Sequence, residues 1–337
     1  MRARLDQIAP TAAGVAANSI AAVNHELDRA TIWPYDEHGE PREFYYSRYG
    51  GPTLAAVERE LGALEGGDAL LFPSGAGATT ALVLSLLHPG DTIALAAGAY
   101  FGTGVTFSAL HKWGLTHVEF DQTGPPPDGV QLIWLEAPSN PFLTMPDLEA
   151  AVAHPAPVVV DSTVATPVFL RPLEHGADYA LHSATKYLAG HDDVLMGAVV
   201  GRDLAELKTF RTRSGISPAP DAAWLLGRGL KTLEIRVRRQ TETATLLAER
   251  LREHPAVHTV RYPGLSGLIS FDVDDPRKVE TATRLIVNAT SLGGVTSVME
   301  SRARWEGDRV PAGLLRLSIG LEDAEALWAD LEHALAQ

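Results

Sequence analysis

Ser183-Ala184-Thr185-Lys186 sets a lysine just behind two hydroxyl residues and an apolar run at 179–181. The chain has only five lysines (Lys112, Lys186, Lys208, Lys231 and Lys278), and Lys186 alone has such neighbours. Hydroxyls at a strand end can bind a phosphate, and a lysine beside it can form a Schiff base if burial lowers its pKa. A solvated surface lysine is the competing reading. Asp161, directly after Val158-Val159-Val160, lies where open α/β sheets bind ligands and could hold a cation such as a protonated pyridine nitrogen. It could equally cap a turn. Ser74-Gly75-Ala76-Gly77 falls between a strand and a helix, where small residues and free N–H groups admit a phosphate or simply allow tight packing. Arg316, alone in the apolar run Leu314-Leu315-Arg316-Leu317, must find an anion, either a substrate carboxylate or a structural partner.

The elements that must position these groups follow from the hydrophobic pattern. Leu54, Val57, Leu61 and Leu64 recur at helical spacing before Gly66-Gly67 stops the helix. Short apolar runs at 69–72, 92–96, 116–120, 132–135, 158–160, 179–181 and 195–200 alternate with helical stretches. That alternation predicts a mostly parallel sheet covered by helices on both faces. A long polar helix over 230–252 is expected to lead into a smaller α+β unit. It has strands at 268–273 and near Val295 and Leu315, a helix near 276–286, and a closing helix over 323–335. Residues 1–45 read as an irregular arm with a short helix at 9–22, packing on another element or another subunit; a partly ordered leader is the competing reading.

Composition narrows the function classes. The 337 residues are 45% hydrophobic and carry a formal net charge of -14, which argues against a nucleic-acid partner, since phosphate neutralisation needs clustered Lys and Arg. The absence of cysteine excludes disulfides, thiolate nucleophiles and zinc–thiolate sites. His182 and His191 do not have metal-ligand spacing, so no metal is expected. No apolar run approaches membrane-spanning length, so no membrane partner is expected and a cytoplasmic location is the default. The doubly wound pattern also suggests a dinucleotide-dependent oxidoreductase, but the glycine fingerprint is incomplete.

In order along the chain, these motifs resemble the Cys/Met-metabolism family of pyridoxal 5'-phosphate (PLP) enzymes, from about Tyr46 to Asp323. The stretches that carry the resemblance are 181–191 around Lys186, Glu136-Ala137-Pro138-Ser139-Asn140-Pro141, Arg228-Gly229-Leu230-Lys231-Thr232-Leu233 and Ser291-Leu292-Gly293-Gly294. The resemblance implies an α/β, fold-type I PLP-dependent transferase (aminotransferase-like). It implies an arm at 1–50 contributing to a neighbouring subunit, a PLP-binding domain at 51–229 and a small C-terminal domain at 230–337. It implies that Lys186 bonds the cofactor, Asp161 pairs with the pyridine nitrogen, and Tyr100 stacks on the ring and donates a proton. Gly75, Ala76, Ser183 and Thr185 would bind the phosphate, and Tyr46 and Arg48 would reach a neighbouring subunit's phosphate, so that a dimer or tetramer shares its active sites. Asn140, Ser291 and Arg316 would hold a small amino-acid substrate. The activity implied is a carbon–sulfur lyase with γ-elimination like that of cystathionine γ-lyase, or alternatively γ-replacement on an O-acylhomoserine. Tyr45 and Thr296 stand where cystathionine-handling members often have acids, and Arg302 and Arg304 are expected at the surface.

Overall fold

The computed structural model describes residues 24–337; the helix expected at 9–22 lies outside them. Seven strands form the larger sheet: β1 (Asp68–Phe72), β2 (Thr92–Ala96), β3 (Thr116–Phe120), β4 (Leu132–Glu136), β5 (Val158–Asp161), β6 (Tyr179–His182) and β7 (Gly197–Gly201). Their order is β1-β7-β6-β5-β4-β2-β3. All pairings are parallel except those of β7, which runs antiparallel to both β1 and β6. The central strands β4 and β5 are buried along their whole length, as the unbroken apolar runs require when helices cover both faces. Separate apolar clusters fill the two faces, one around Trp134, Phe107 and Phe72, another around Ile133, Leu135 and Val160.

The helix Pro52–Glu65 packs on a further cluster containing Val57, Leu61 and Tyr187. Its last residue, Glu65, meets His182 of β6 at 2.6 Å with both side chains fully buried. This pair ties the helix to the strand that delivers Lys186.

The second sheet has five strands among the described residues: β8 (Thr259–Arg261), β9 (Leu268–Asp272), β10 (Val287–Asn288), β11 (Val298–Ser301) and β12 (Leu314–Ser318), in the order β10-β11-β12-β9-β8. Its core gathers Phe271, Met299, Leu315, Leu317 and the closing helix Ala324–Leu335.

Three expectations shift. The long polar helix runs over Leu233–Glu253, starting three residues later than expected, because a separate helix, Pro220–Leu230, precedes it and the chain turns at Lys231-Thr232. The helix Pro276–Ala282 stops four residues short of the expected end. No strand forms at Val295, and the 291–296 segment is instead a loop pressed against the lysine turn. A Cβ on Gly293, whose φ is +79°, would lie 2.6 Å from the Tyr187 nitrogen; one on Gly294 would collide with Asp192. The Gly-Gly pair therefore lets Ser291 approach Lys186.

Candidate active site

The site lies beyond the C-terminal ends of β4, β5 and β6, where the crossover loops leave room for a ligand. Asp161, the last residue of β5, is 8% exposed. Its Oδ1 accepts from the Thr163 hydroxyl at 2.5 Å and the Thr163 N–H at 3.0 Å. The Thr163 oxygen in turn accepts the Ser183 N–H at 2.8 Å, and the Lys186 N–H closes a turn on the Ser183 carbonyl. One threonine thus joins the strand end carrying Asp161 to the loop carrying Lys186. Burial raises the Asp161 carboxyl above its ordinary value, and the two Thr163 bonds oppose the rise.

Lys186 Nζ lies 2.7 Å from the Ser291 hydroxyl. Burial first, and the Arg316 charge second, lower its pKa to about 8. Ser291 holds a φ of +88°, a costly conformation for a residue with a Cβ. Its carbonyl accepts from Arg316 Nη2 at 3.0 Å, and Arg316 Nη1 donates to Asn140 Oδ1 at 3.0 Å. Asn140, Arg316, Ser291 and Lys186 therefore form one continuous chain of contacts, although they come from four separate parts of the sequence.

Arg316 also finds an anion within the protein. Glu300, its direct neighbour across the β11–β12 register, accepts from Nη2 at 2.6 Å. The same Glu300 oxygen accepts from Arg302 at 2.6 Å, and Arg302 bonds Glu306. These side chains are almost wholly buried. The expectation that Arg302 is a surface charge is thereby corrected: it is 2% exposed, matched by two carboxylates and set over the Phe101 ring. Arg304 is exposed, as expected, and pairs with the buried Glu280. Sequence reading missed Glu300 altogether; its signal is an acid facing an arginine in two apolar strands. Arg316 Nε remains without a hydrogen-bond partner.

Tyr100 precedes the helix Phe101–Leu110, and its N–H donates to Glu136 Oε2 at 2.6 Å. Its ring lies over Gly102, where a Cβ would come within 2.4 Å of it. Glu136 ends β4 directly opposite Asp161.

The helix Gly75–Leu86 points its first turn at the Ser183 loop. A Cβ on Gly75 would lie 2.9 Å from Ser183 Cβ. The Ser74 hydroxyl accepts the Gly77 N–H, leaving the Gly75 and Ala76 N–H groups without intrahelical acceptors. Thr185 differs from Ser183, since its hydroxyl already donates to the Met196 carbonyl and accepts the Met196 N–H. Tyr46 and Arg48 lie elsewhere. Arg48 stacks over Tyr46 and Tyr49 and donates to the Thr212 carbonyl, and no hydrogen bond joins either residue to Lys186 among the described residues.

Residues 11–336 match the model of the Cys/Met metabolism PLP-dependent enzymes. The chain belongs to this family. A putative cystathionine γ-lyase of Streptomyces coelicolor is 40% identical over 88% of this chain and 85% of its own length. A cystathionine γ-synthase of Mycobacterium tuberculosis is 36% identical over 93% and 92%. Among solved structures, metB from Corynebacterium glutamicum superposes with a TM-score of 0.90 at 36% identity, covering 94% of this chain and 93% of that one. The fold is therefore the fold-type I architecture of PLP enzymes, and PLP is the family's cofactor.

The residues present suit that cofactor. Asp161 Oδ2 accepts no hydrogen bond among the described residues, although the residue is buried. A carboxylate in this state fits a protonated ring nitrogen. The bare Gly75 position and the two open N–H groups fit a phosphate. A buried lysine with a pKa of about 8 fits covalent attachment through its neutral amine.

Proposed function

We propose that the enzyme is a carbon–sulfur lyase performing γ-elimination like that of cystathionine γ-lyase. A thioether amino acid and water would give a thiol, 2-oxobutanoate and ammonia. The observation that carries this reading is the contact chain from Lys186 through Ser291 and Arg316 to Asn140. It sets a neutralisable amine beside groups able to grip an α-carboxylate. The name of the Streptomyces relative points the same way.

In this reading Lys186 holds the cofactor, Asp161 faces its ring nitrogen and Tyr100 stacks on its ring. Gly75, Ala76, Ser183 and Thr185 hold the phosphate, with Thr185 acting mainly through the Met196 turn. PLP supplies an electron sink that stabilises negative charge at the substrate Cα. Arg316 and Asn140 grip the α-carboxylate and so orient the Cα–H bond toward Lys186. The Lys186 amine, displaced by the substrate amine, takes the Cα proton, and Ser291 steadies it through their hydrogen bond. The Tyr100 hydroxyl gives a proton to the departing sulfur.

The arm at 1–50, including Tyr46 and Arg48, completes a neighbouring subunit's site in a dimer or tetramer. Residues 51–229 form the cofactor domain and 230–337 the small domain. The enzyme works in the cytoplasm; among the described residues, no helix is long and apolar enough to cross a membrane.

The alternative is γ-replacement on an O-acylhomoserine, supported by the Mycobacterium relative's name and by Tyr45 and Thr296, which offer no acid to a distal ammonium. A substrate panel with mass identification of the keto acid decides. Ready formation of 2-oxobutanoate from cystathionine is expected. Trace formation alongside fast turnover of acylhomoserine and thiol would overturn the lyase reading.

A further inference from the structure

The helix Leu233–Glu253 touches both halves of the site, yet the chemistry above gives its residues no task. Two of its buried polar side chains, Arg236 and Gln240, stand four residues apart on one face. Every hydrogen-bond partner of Arg236 among the described residues is neutral. Nη1 donates to the Tyr187 carbonyl at 2.8 Å, Nη2 to the carbonyls of Leu188 at 3.3 Å and Gly229 at 2.9 Å, and Nε to the Thr232 hydroxyl at 3.0 Å. Burial lowers its pKa only to about 10, so the charge persists at neutral pH. A buried cation without a counter-ion is costly, and this one is offset by the carbonyl ends that converge on it. Two of those carbonyls belong to the turn that carries Lys186, which the Ala189 and Gly190 N–H groups close on the Ala184 and Lys186 carbonyls. Gly190, with φ +71°, leaves room for the guanidinium where a Cβ would collide with it. Gln240 is fully buried, and its Nε2 donates to the Gly294 carbonyl at 2.7 Å and the Ile319 carbonyl at 2.9 Å. Gly294 belongs to the loop that brings Ser291 to Lys186, and Ile319 directly follows β12, which carries Arg316.

We propose that Arg236 and Gln240 are positioning residues that use this helix as a ruler, fixing the Lys186 amine relative to Ser291 and Arg316. The proposal rests on the roles of Lys186, Ser291 and Arg316 assigned above. Arg236 grips the lysine turn, and Gln240 grips the Ser291 loop and the end of the Arg316 strand. The helix rises 1.5 Å per residue, so the two grips stand about 6 Å apart along its axis. Neither has slack. The Arg236 fork is planar and engaged on three sides. Gly267 presses on Gln240, where an added Cβ would lie 2.9 Å from the Gln240 Cβ. A shift of either grip therefore passes to the approach of Lys186 and Ser291.

The test compares the holoenzyme with Arg236→Lys, Gln240→Met and the pair. Arg236→Lys keeps the charge but replaces the fork with a point. It should lower kcat about 10- to 100-fold, the scale of a small misplacement of reacting groups, with KM within about twofold of wild type. Gln240→Met keeps the length but donates nothing. It should lower kcat on the same scale and also raise KM, because the end of the Arg316 strand is released as well. Both grips set one geometry, so adding the second change to the first should lower kcat by less than about a further threefold. In each variant the pH at which cofactor uptake by apoprotein levels off should rise by about one unit, since a loosened Lys186 is less buried and farther from Arg316. A purely structural role would lower the melting temperature and leave kcat, KM and that pH at their wild-type values. That pattern, or full additivity on kcat, would overturn the proposal. Where Arg236→Lys does not fold, the kcat, KM and pH readings of Gln240→Met decide. Borohydride labelling of Lys186 in the wild-type protein reports on the cofactor assignment separately. A labelled Lys186 with wild-type kinetics in the variants would count against Arg236 and Gln240 alone.

Discussion

The two walls of the site are built on opposite principles. The wall from the larger sheet holds Asp161, Thr163, Ser183 and Lys186 with a few neutral or singly charged hydrogen bonds, and it leaves groups open: Asp161 Oδ2 and the N–H groups of Gly75 and Ala76. The wall from the smaller sheet is a closed ionic cluster, in which Arg316 and Arg302 share Glu300 and Arg302 also binds Glu306. The first wall has unfilled valences suited to a ligand. The second is saturated by its own residues, so it fixes geometry. Arg316 belongs to both descriptions, because Glu300 answers its charge while Nε stays unpartnered.

This contrast predicts different losses when each wall is cut. The largest belongs to the open wall. Lys186→Ala should lower turnover by about 10³-fold or more and abolish covalent cofactor attachment, as read by steady-state kinetics and borohydride labelling. Asp161→Asn should follow with a loss in kcat on the order of 10²-fold, because an amide cannot keep a ring nitrogen protonated. Wild-type kcat in that variant would remove Asp161 from the site.

The closed wall should fail in stability. Glu300→Gln leaves two buried guanidiniums short of a carboxylate, and unfolding free energy should drop by about 3 kcal/mol in urea denaturation. A change within experimental error would mean that Glu306 alone compensates the cluster.

The smallest effect is one of pH. Lys186 reacts as the neutral amine, and its pKa lies at about 8, below the ordinary lysine value. Below that pH the neutral fraction falls about tenfold per unit, so cofactor uptake by apoprotein should quicken up to about pH 8 and then level off. A rate still climbing at pH 10 would show that the buried environment does not depress this lysine.

The same contrast explains what was legible in the sequence. The Lys186 wall is written in contiguous stretches, a strand followed at once by hydroxyls and the lysine, so type and order singled out its residues, while their roles came from the family resemblance. Asp161 was readable for the same reason, as a lone acid ending an apolar run. The saturated wall is not contiguous. Glu300 meets Arg316 only through the antiparallel register of β11 and β12, which no local pattern specifies. Arg302, in a run of alternating charges, resembles a solvated arginine until Phe101, from the other sheet's helices, covers it. The strand expected near Val295 failed similarly: Val295 is apolar, but Gly293 and Gly294 are needed to let the loop touch Tyr187 and Asp192.

The central claim is that Lys186, alone among the five lysines, carries the cofactor. Borohydride reduction of the yellow protein, followed by peptide mapping, tests it most directly. The account predicts a single labelled peptide containing Lys186. A colourless protein that takes up no added PLP, or a label on another lysine, would contradict it.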